Sequence, residues 1–110
     1  MAPLFLDPGL LRKRALLQRK LIGSDGMGGA EESWSEVAEL SVHVEPVTMA
    51  PGERLDQHEA ILTHRVICRA RGDIERGMAF AVGSRRLTIL SVHDPDESGR
   101  YLVCRCTEET

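Results

Sequence analysis

The sequence predicts an all-β fold. It reads as a small barrel of about six strands, with an N-terminal arm and a long loop between strands two and three. Three observations predict this. Short runs alternate apolar and polar residues with period two, the mark of a half-buried strand. Glycine- and aspartate-rich turns separate the runs, and no stretch carries the periodicity of a long helix. The chain has 110 residues, which suits one domain over 1–110 and is too short to cover open sheet edges, so closure is the simplest way to remove them.

Residues 1–13 read as the arm. It carries Leu4, Phe5 and Leu6, then Asp7-Pro8, with Pro at the first position of a short helical turn. That turn would bring Leu10 and Leu11 to the body. These five apolar residues are the candidate docking set. "RALLQRKLI" (14–22) follows as a strand, with Ala15, Leu17 and Leu21 on one face and Arg19 between them. Residues 34–45 alternate most clearly. Trp34, Ala38, Leu40, Val42 and Val44 fall on one side, while Ser35, Glu39, Ser41, His43 and Glu45 fall on the other. Glu36 and Val37 break the pattern. Residues 46–60 hold two prolines, a glycine and several charges, a long connection for so small a domain. "ILTHRVICRAR" (61–71) alternates again, with Leu62, Val66, Cys68 and Ala70 opposite Arg65, Ile67 and Arg69. "MAFAV" and "RLTILSV" are strands joined through a Gly-Ser hairpin turn of the primed type. "YLVCRC" is the last strand, after the turn "HDPDESGR".

The bulk composition excludes several classes. Aromatics are 4% of the chain, so the core is aliphatic. The net charge of −3 argues against a free-standing nucleic-acid binder, which needs clustered Lys and Arg. No run approaches the roughly 20 apolar residues that span a bilayer, so no membrane partner is expected. The apolar start precedes its charges, the reverse of a secretory signal. Three cysteines, an odd number, suit free thiols in a reducing compartment.

No motif carries enzyme chemistry, and the sequence predicts no enzyme, no cofactor and no metal. The glycine-rich "IGSDGMGGAEESW" (22–34) has no Lys for a phosphate loop, and two acids follow it. Asp25-Gly26 between two strand patterns reads as a hairpin. "DPDESG" (94–99) starts like a calcium loop, but Arg105 stands where the bidentate Glu belongs. Cys104-x-Cys106 with Cys68 lacks the spacing of a zinc knuckle and reads as core packing. His43, His58, His64 and His93 are scattered, and the pairs Glu31-Glu32 and Glu108-Glu109 read as solvated charge. The basic runs "RKRALLQRK" and "RVICRAR" read as solvated strand edges, or as one face that meets nucleic acid or an acidic protein partner.

With these pieces in order, the chain resembles the head-tail joining proteins of tailed phages, also called head completion or stopper proteins. "GLLRKRALLQRK" is similar to the family's opening strand. "DGMGGAEESWSEVAELSVHVEP" is similar to its glycine hairpin, Trp and strand ending in Val-Glu-Pro. "THRVICRARGDIERGM" and "RRLTILSVHDPDESGRYLVCRCTEE" resemble its Thr-His-x-Val strand and closing hairpin. The resemblance spans residues 9–109, and related proteins occur in phage-like gene transfer particles.

The resemblance implies a barrel that assembles with itself as a ring of six or twelve copies. The ring would sit at the head-tail interface of a virion or phage-like particle assembled in the bacterial cytoplasm. Its partners would be the portal or adaptor ring on the head side and the tail terminator or tail tube on the other. DNA would pass through without sequence-specific binding, and exposed strand edges would pair between copies. In some members the loop between strands two and three points into the channel and closes it. Here that loop is Thr48, Met49, Ala50, Pro51, Gly52, Glu53, Arg54, Leu55, Asp56, Gln57, His58 and Glu59. It is charged rather than a purely apolar plug. Two other readings compete: a tail-end component (tail terminator or minor tail protein), and an oligonucleotide-binding barrel. The second needs stacking aromatics on its binding face, for which Phe5, Trp34, Phe80 and Tyr101 are the candidates.

Overall fold

The computed structural model describes residues 8–24, 26–47 and 62–108. Six strands follow a 3₁₀ turn at Pro8–Leu10: β1 (Lys13–Ser24), β2 (Ala30–Pro46), β3 (His64–Arg69), β4 (Ala79–Val82), β5 (Arg85–His93) and β6 (Tyr101–Glu108). All neighbours are antiparallel, and the order β1-β2-β3-β6-β5-β4 closes on itself as a barrel. The predicted all-β barrel of six strands is the observed one.

The interior is filled by the inward side chains of every strand. Phe80, Leu17, Leu87, Ile89, Val42, Val66, Cys68, Cys104 and Cys106 are fully buried. Burying each large aliphatic or aromatic side chain stabilises the fold by about 1.5–3 kcal/mol. A smaller cluster forms on the outside of the sheet, where Leu11, Ile67, Tyr101 and Val103 pack together. Ile67 therefore does lie opposite Val66 and Cys68, but it is covered, not exposed. Ala70, placed on the core face by alternation, lies exposed beyond the end of β3.

Two bulges reset the alternation. In β2, Ala38 faces Leu17 while Glu36 faces Gln18, so Val37 is the extra residue. An extra residue shifts every later side chain to the other face. Trp34 thus lies opposite Lys20 on the outer face, not on the core face with Ala38, Leu40, Val42 and Val44. The break at Glu36-Val37 was the visible trace of this bulge. In β5, Leu90 is the extra residue, since Ile89 faces Cys106 and Ser91 faces Arg105.

The turns follow their residue chemistry. Gly83-Ser84 links the paired Val82 and Arg85 with φ +60° at Gly83 and none positive at Ser84. That is the II′ hairpin turn, which needs glycine first. The β5–β6 turn holds itself. Asp94 Oδ2 accepts from Gly99 N at 2.7 Å, and Asp96 Oδ1 accepts from Ser98 N at 3.1 Å.

The first hairpin outgrows the barrel. β1 pairs with β4 only over Leu16–Gln18, and β2 pairs with β3 only from Val42 onward. Residues 19–24 and 30–36 therefore project as a two-stranded ribbon. Leu21, expected on a buried face, is 47% exposed because β1 has left the barrel there.

Candidate functional site

The described surface concentrates polar and apolar features at the two ends of the barrel. One end is the base of the long loop. Val47 N donates to Thr63 O at 2.9 Å, so the chain leaves and returns side by side. Thr63 N donates to Cys106 O at 2.9 Å, and Glu108 N donates to Thr63 Oγ1 at 2.7 Å. Thr63 thus stitches the loop base to β6.

A polar chain continues from there. His64 Nδ1 lies 2.9 Å from Thr63 Oγ1, and Arg85 Nη2 lies 3.0 Å from His64 Nε2. Arginine only donates, so in this contact Nε2 is the acceptor. Arg85 also grips Glu108 with two bonds, of 2.8 and 3.2 Å. This fork holds the Glu108 carboxyl below its usual range, chiefly through the hydrogen bonds from Arg85. The same contact raises Arg85. Four side chains from β3, β5, β6 and the loop base thereby lock one mouth of the barrel. Nothing in the sequence joined Thr63, His64, Arg85 and Glu108, because they meet only through the β3–β6 and β5–β6 pairings.

The other end carries the ribbon. Trp34 is half-buried between two cations, with Arg86 4.7 Å and Lys20 5.6 Å from its ring centroid. Arg86 Nε also donates to Gln18 Oε1 at 3.2 Å. On the inner face Arg19 pairs with Glu75 at 2.9 Å, tying the ribbon to the β3–β4 connection. Beyond these clamps Leu21, Ile22 and Met27 are exposed, Met27 by 90%. The sequence placed Trp34 in the core, so the outward clamp was missed.

The three thiols are buried. Cys104 donates to Cys68, and that bond, then burial, pushes the Cys104 pKa above the ordinary thiol range. Burial pushes Cys106 up to about 12. Cys104 and Cys106 thus stay protonated, while the bond from Cys104 shifts the Cys68 pKa down; all three side chains fill the core. Among the described residues no group of three His, Cys, Asp or Glu is placed to hold a metal. Phe80 and Tyr101 are buried, and Trp34 already stacks on cations. The stacking face of an oligonucleotide-binding barrel is therefore missing from the described aromatics.

Of the candidate arm residues, Leu10 is 43% exposed and Leu11 is buried against the barrel wall. Leu4, Phe5 and Leu6 lie outside the described residues, as do Thr48–Glu59 of the proposed channel loop.

The model of the phage head completion protein family matches residues 6–109. The chain belongs to that family. Membership gives this head completion protein a structural role at the phage head-tail region. Its fold recurs in solved structures. A chain in the virion of a native gene transfer agent particle is 24% identical, with a TM-score of 0.63 over 89% of this chain and 93% of that one. The solution structure of a Shigella flexneri 2a protein is 26% identical, with a TM-score of 0.69 over 96% and 98%. No curated protein sequence matches the chain.

Proposed function

We propose that this protein forms a ring between the portal side of the head and the tail, joining the two while DNA passes through its centre. The observation that carries the reading is the family match over nearly the whole closed barrel. The gene transfer agent neighbour supports it, since a chain of the same fold is part of that virion. Closure of the body changes how copies can meet. Every strand has two neighbours within the barrel, so the long open edges left for pairing are those of the β1–β2 hairpin where β4 and β3 do not reach. Contacts between copies fall to the ribbon, the loop base and the arm.

We assign Thr48–Glu59 to the channel, because the chain leaves and re-enters the barrel at the mouth that Thr63, His64, Arg85 and Glu108 lock. A charged, net-negative lining repels phosphate and lets DNA slide, whereas a basic lining would hold it.

Electron microscopy of particles made without this protein tests the role. DNA-filled or leaking heads beside separate, complete tails are expected. Full heads with absent or misassembled tails would move the protein to the tail end. Normal transducing or infectious particles would overturn both readings. Shortening residues 48–59 is expected to leave rings intact and let packaged DNA leak. Fully retained DNA in that variant would count against gating.

A further inference from the structure

The charges of the β1–β2 hairpin are sorted by strand. β1 carries Lys13, Arg14, Arg19 and Lys20 and no acid. β2 carries Glu31, Glu32, Glu36, Glu39 and Glu45 and no Lys or Arg. Part of this charge is used within the chain, where Arg14 pairs with Glu39, Lys20 with Glu32 and Arg19 with Glu75, all at exposed positions that still present their sign to a neighbour. Glu31 and Glu36 make no ion pair among the described residues. Both outer edges of the ribbon also lack a strand neighbour, over residues 19–24 of β1 and 30–36 of β2, and the open β2 edge runs on to Ser41. An unpaired edge is a row of free donors and acceptors, ready to accept another strand.

We infer that the partner of this edge is the ribbon of a second copy, with the β1 edge of one chain added to the β2 edge of the next. The inference rests on the ring proposed above and names its contact. Charge selects this pairing. A β1–β1 contact would set basic against basic, and a β2–β2 contact acid against acid. Like charges placed opposite each other across strands are destabilising. The β1–β2 contact sets basic against acidic. It is also antiparallel when all ribbons point the same way, because β1 and β2 run in opposite directions. Such a contact uses two different surfaces, the type that repeats head to tail and closes into a ring. The exposed Leu21, Ile22 and Met27 then find cover on neighbouring ribbons. The Trp34 clamp and the Arg19–Glu75 pair hold the ribbon in one direction for the contact.

Charge reversal tests this by sedimentation of the purified full chain. One variant is Glu31→Lys with Glu36→Lys, which breaks no ion pair within the described chain. The other is Arg19→Glu with Lys20→Glu. The second variant is acidic on both edges; the first adds two basic groups to the β2 edge and leaves there only Glu32 and Glu39, both already paired within the hairpin. Each alone is expected to raise the assembly midpoint by roughly tenfold or more. An equimolar mixture has complementary edges in alternation, which an even ring of six or twelve accommodates, and is expected to reassemble. Circular dichroism checks that each variant is folded. If the second variant fails to fold, the first decides alone. Its assembly at the wild-type midpoint overturns the inference. So does a mixture of folded variants that stays dissociated, or wild type that remains monomeric at millimolar concentration.

The particle experiment separates this contact from the functional reading. Failed head completion without the chain, together with unaffected variants, leaves the role standing and removes the contact. Complete particles without the chain, together with the expected variant behaviour, leave the contact and remove the role.

Discussion

Trp34 offers the sharpest energetic test. Its ring lies against Arg86 at 4.7 Å and Lys20 at 5.6 Å. Cation–π contacts weaken toward about 6 Å and contribute about 0.5–1 kcal/mol at accessible sites. The Arg86 contact is close, and Arg86 is half-buried, so its share is about 1 kcal/mol. Lys20 adds about 0.5 kcal/mol. Trp34→Ala should therefore cost about 2 kcal/mol once lost apolar cover is included. Arg86→Ala removes the same contact and also the bond to Gln18. That second loss enters both arms of a double-mutant cycle and cancels. The cycle of Trp34→Ala with Arg86→Ala, read by urea unfolding, should give a coupling of about 1 kcal/mol. In thermal unfolding this amounts to about 4–8 °C for a domain of this size. Hydrogen exchange should place the loss in residues 19–24 and 30–36 before the barrel core. A coupling within about 0.3 kcal/mol of zero, the scatter of independent sites, refutes the clamp.

Other expectations follow from the core, the turns and the charges. Phe80→Ala empties the largest fully buried side chain and should cost about 3–5 kcal/mol in denaturant unfolding. Gly83→Ala forces a Cβ into φ +60° and should cost about 1–2 kcal/mol in the same assay. Because folding lowers the Glu108 pKa below 4.5, its contribution is present above that value and fades as pH falls through the folded pKa. Glu108→Gln should therefore lower Tm at pH 7 and make little difference well below pH 4.5. Thiol reagents at pH 8 should label Cys104 and Cys106 only on unfolding, since both are enclosed in the core and stay protonated, Cys104 chiefly through its bond to Cys68 and Cys106 through burial. Rapid native labelling would show that the barrel opens.

Local chemistry was enough to read the strands and turns. Period-two alternation marks a strand wherever one face is buried, and Gly83-Ser84 can hardly serve as anything but a hairpin turn between two such runs. Closure was legible as well, from a short chain with six runs and no helix to cover edges. The candidate site was legible only in part. Leu11 packs on its own barrel wall, and the thiols pack in the core. The mouth at Thr63, His64, Arg85 and Glu108 was invisible, because strand register brings together residues up to 45 positions apart.

The sequence by itself determined the all-β barrel, the turn types and the segregation of basic charge to β1 and acidic charge to β2. Those features depend on neighbours along the chain. Only the tertiary structure decided where the sheet stops. Alternation continues unchanged past the point where β4 and β3 fall away, so Leu21 looks buried in sequence and is exposed in the ribbon. One extra residue at Val37 then turns Trp34 outward. Whether that residue is a bulge or the end of a strand depends on the partner strand, which the local pattern does not contain.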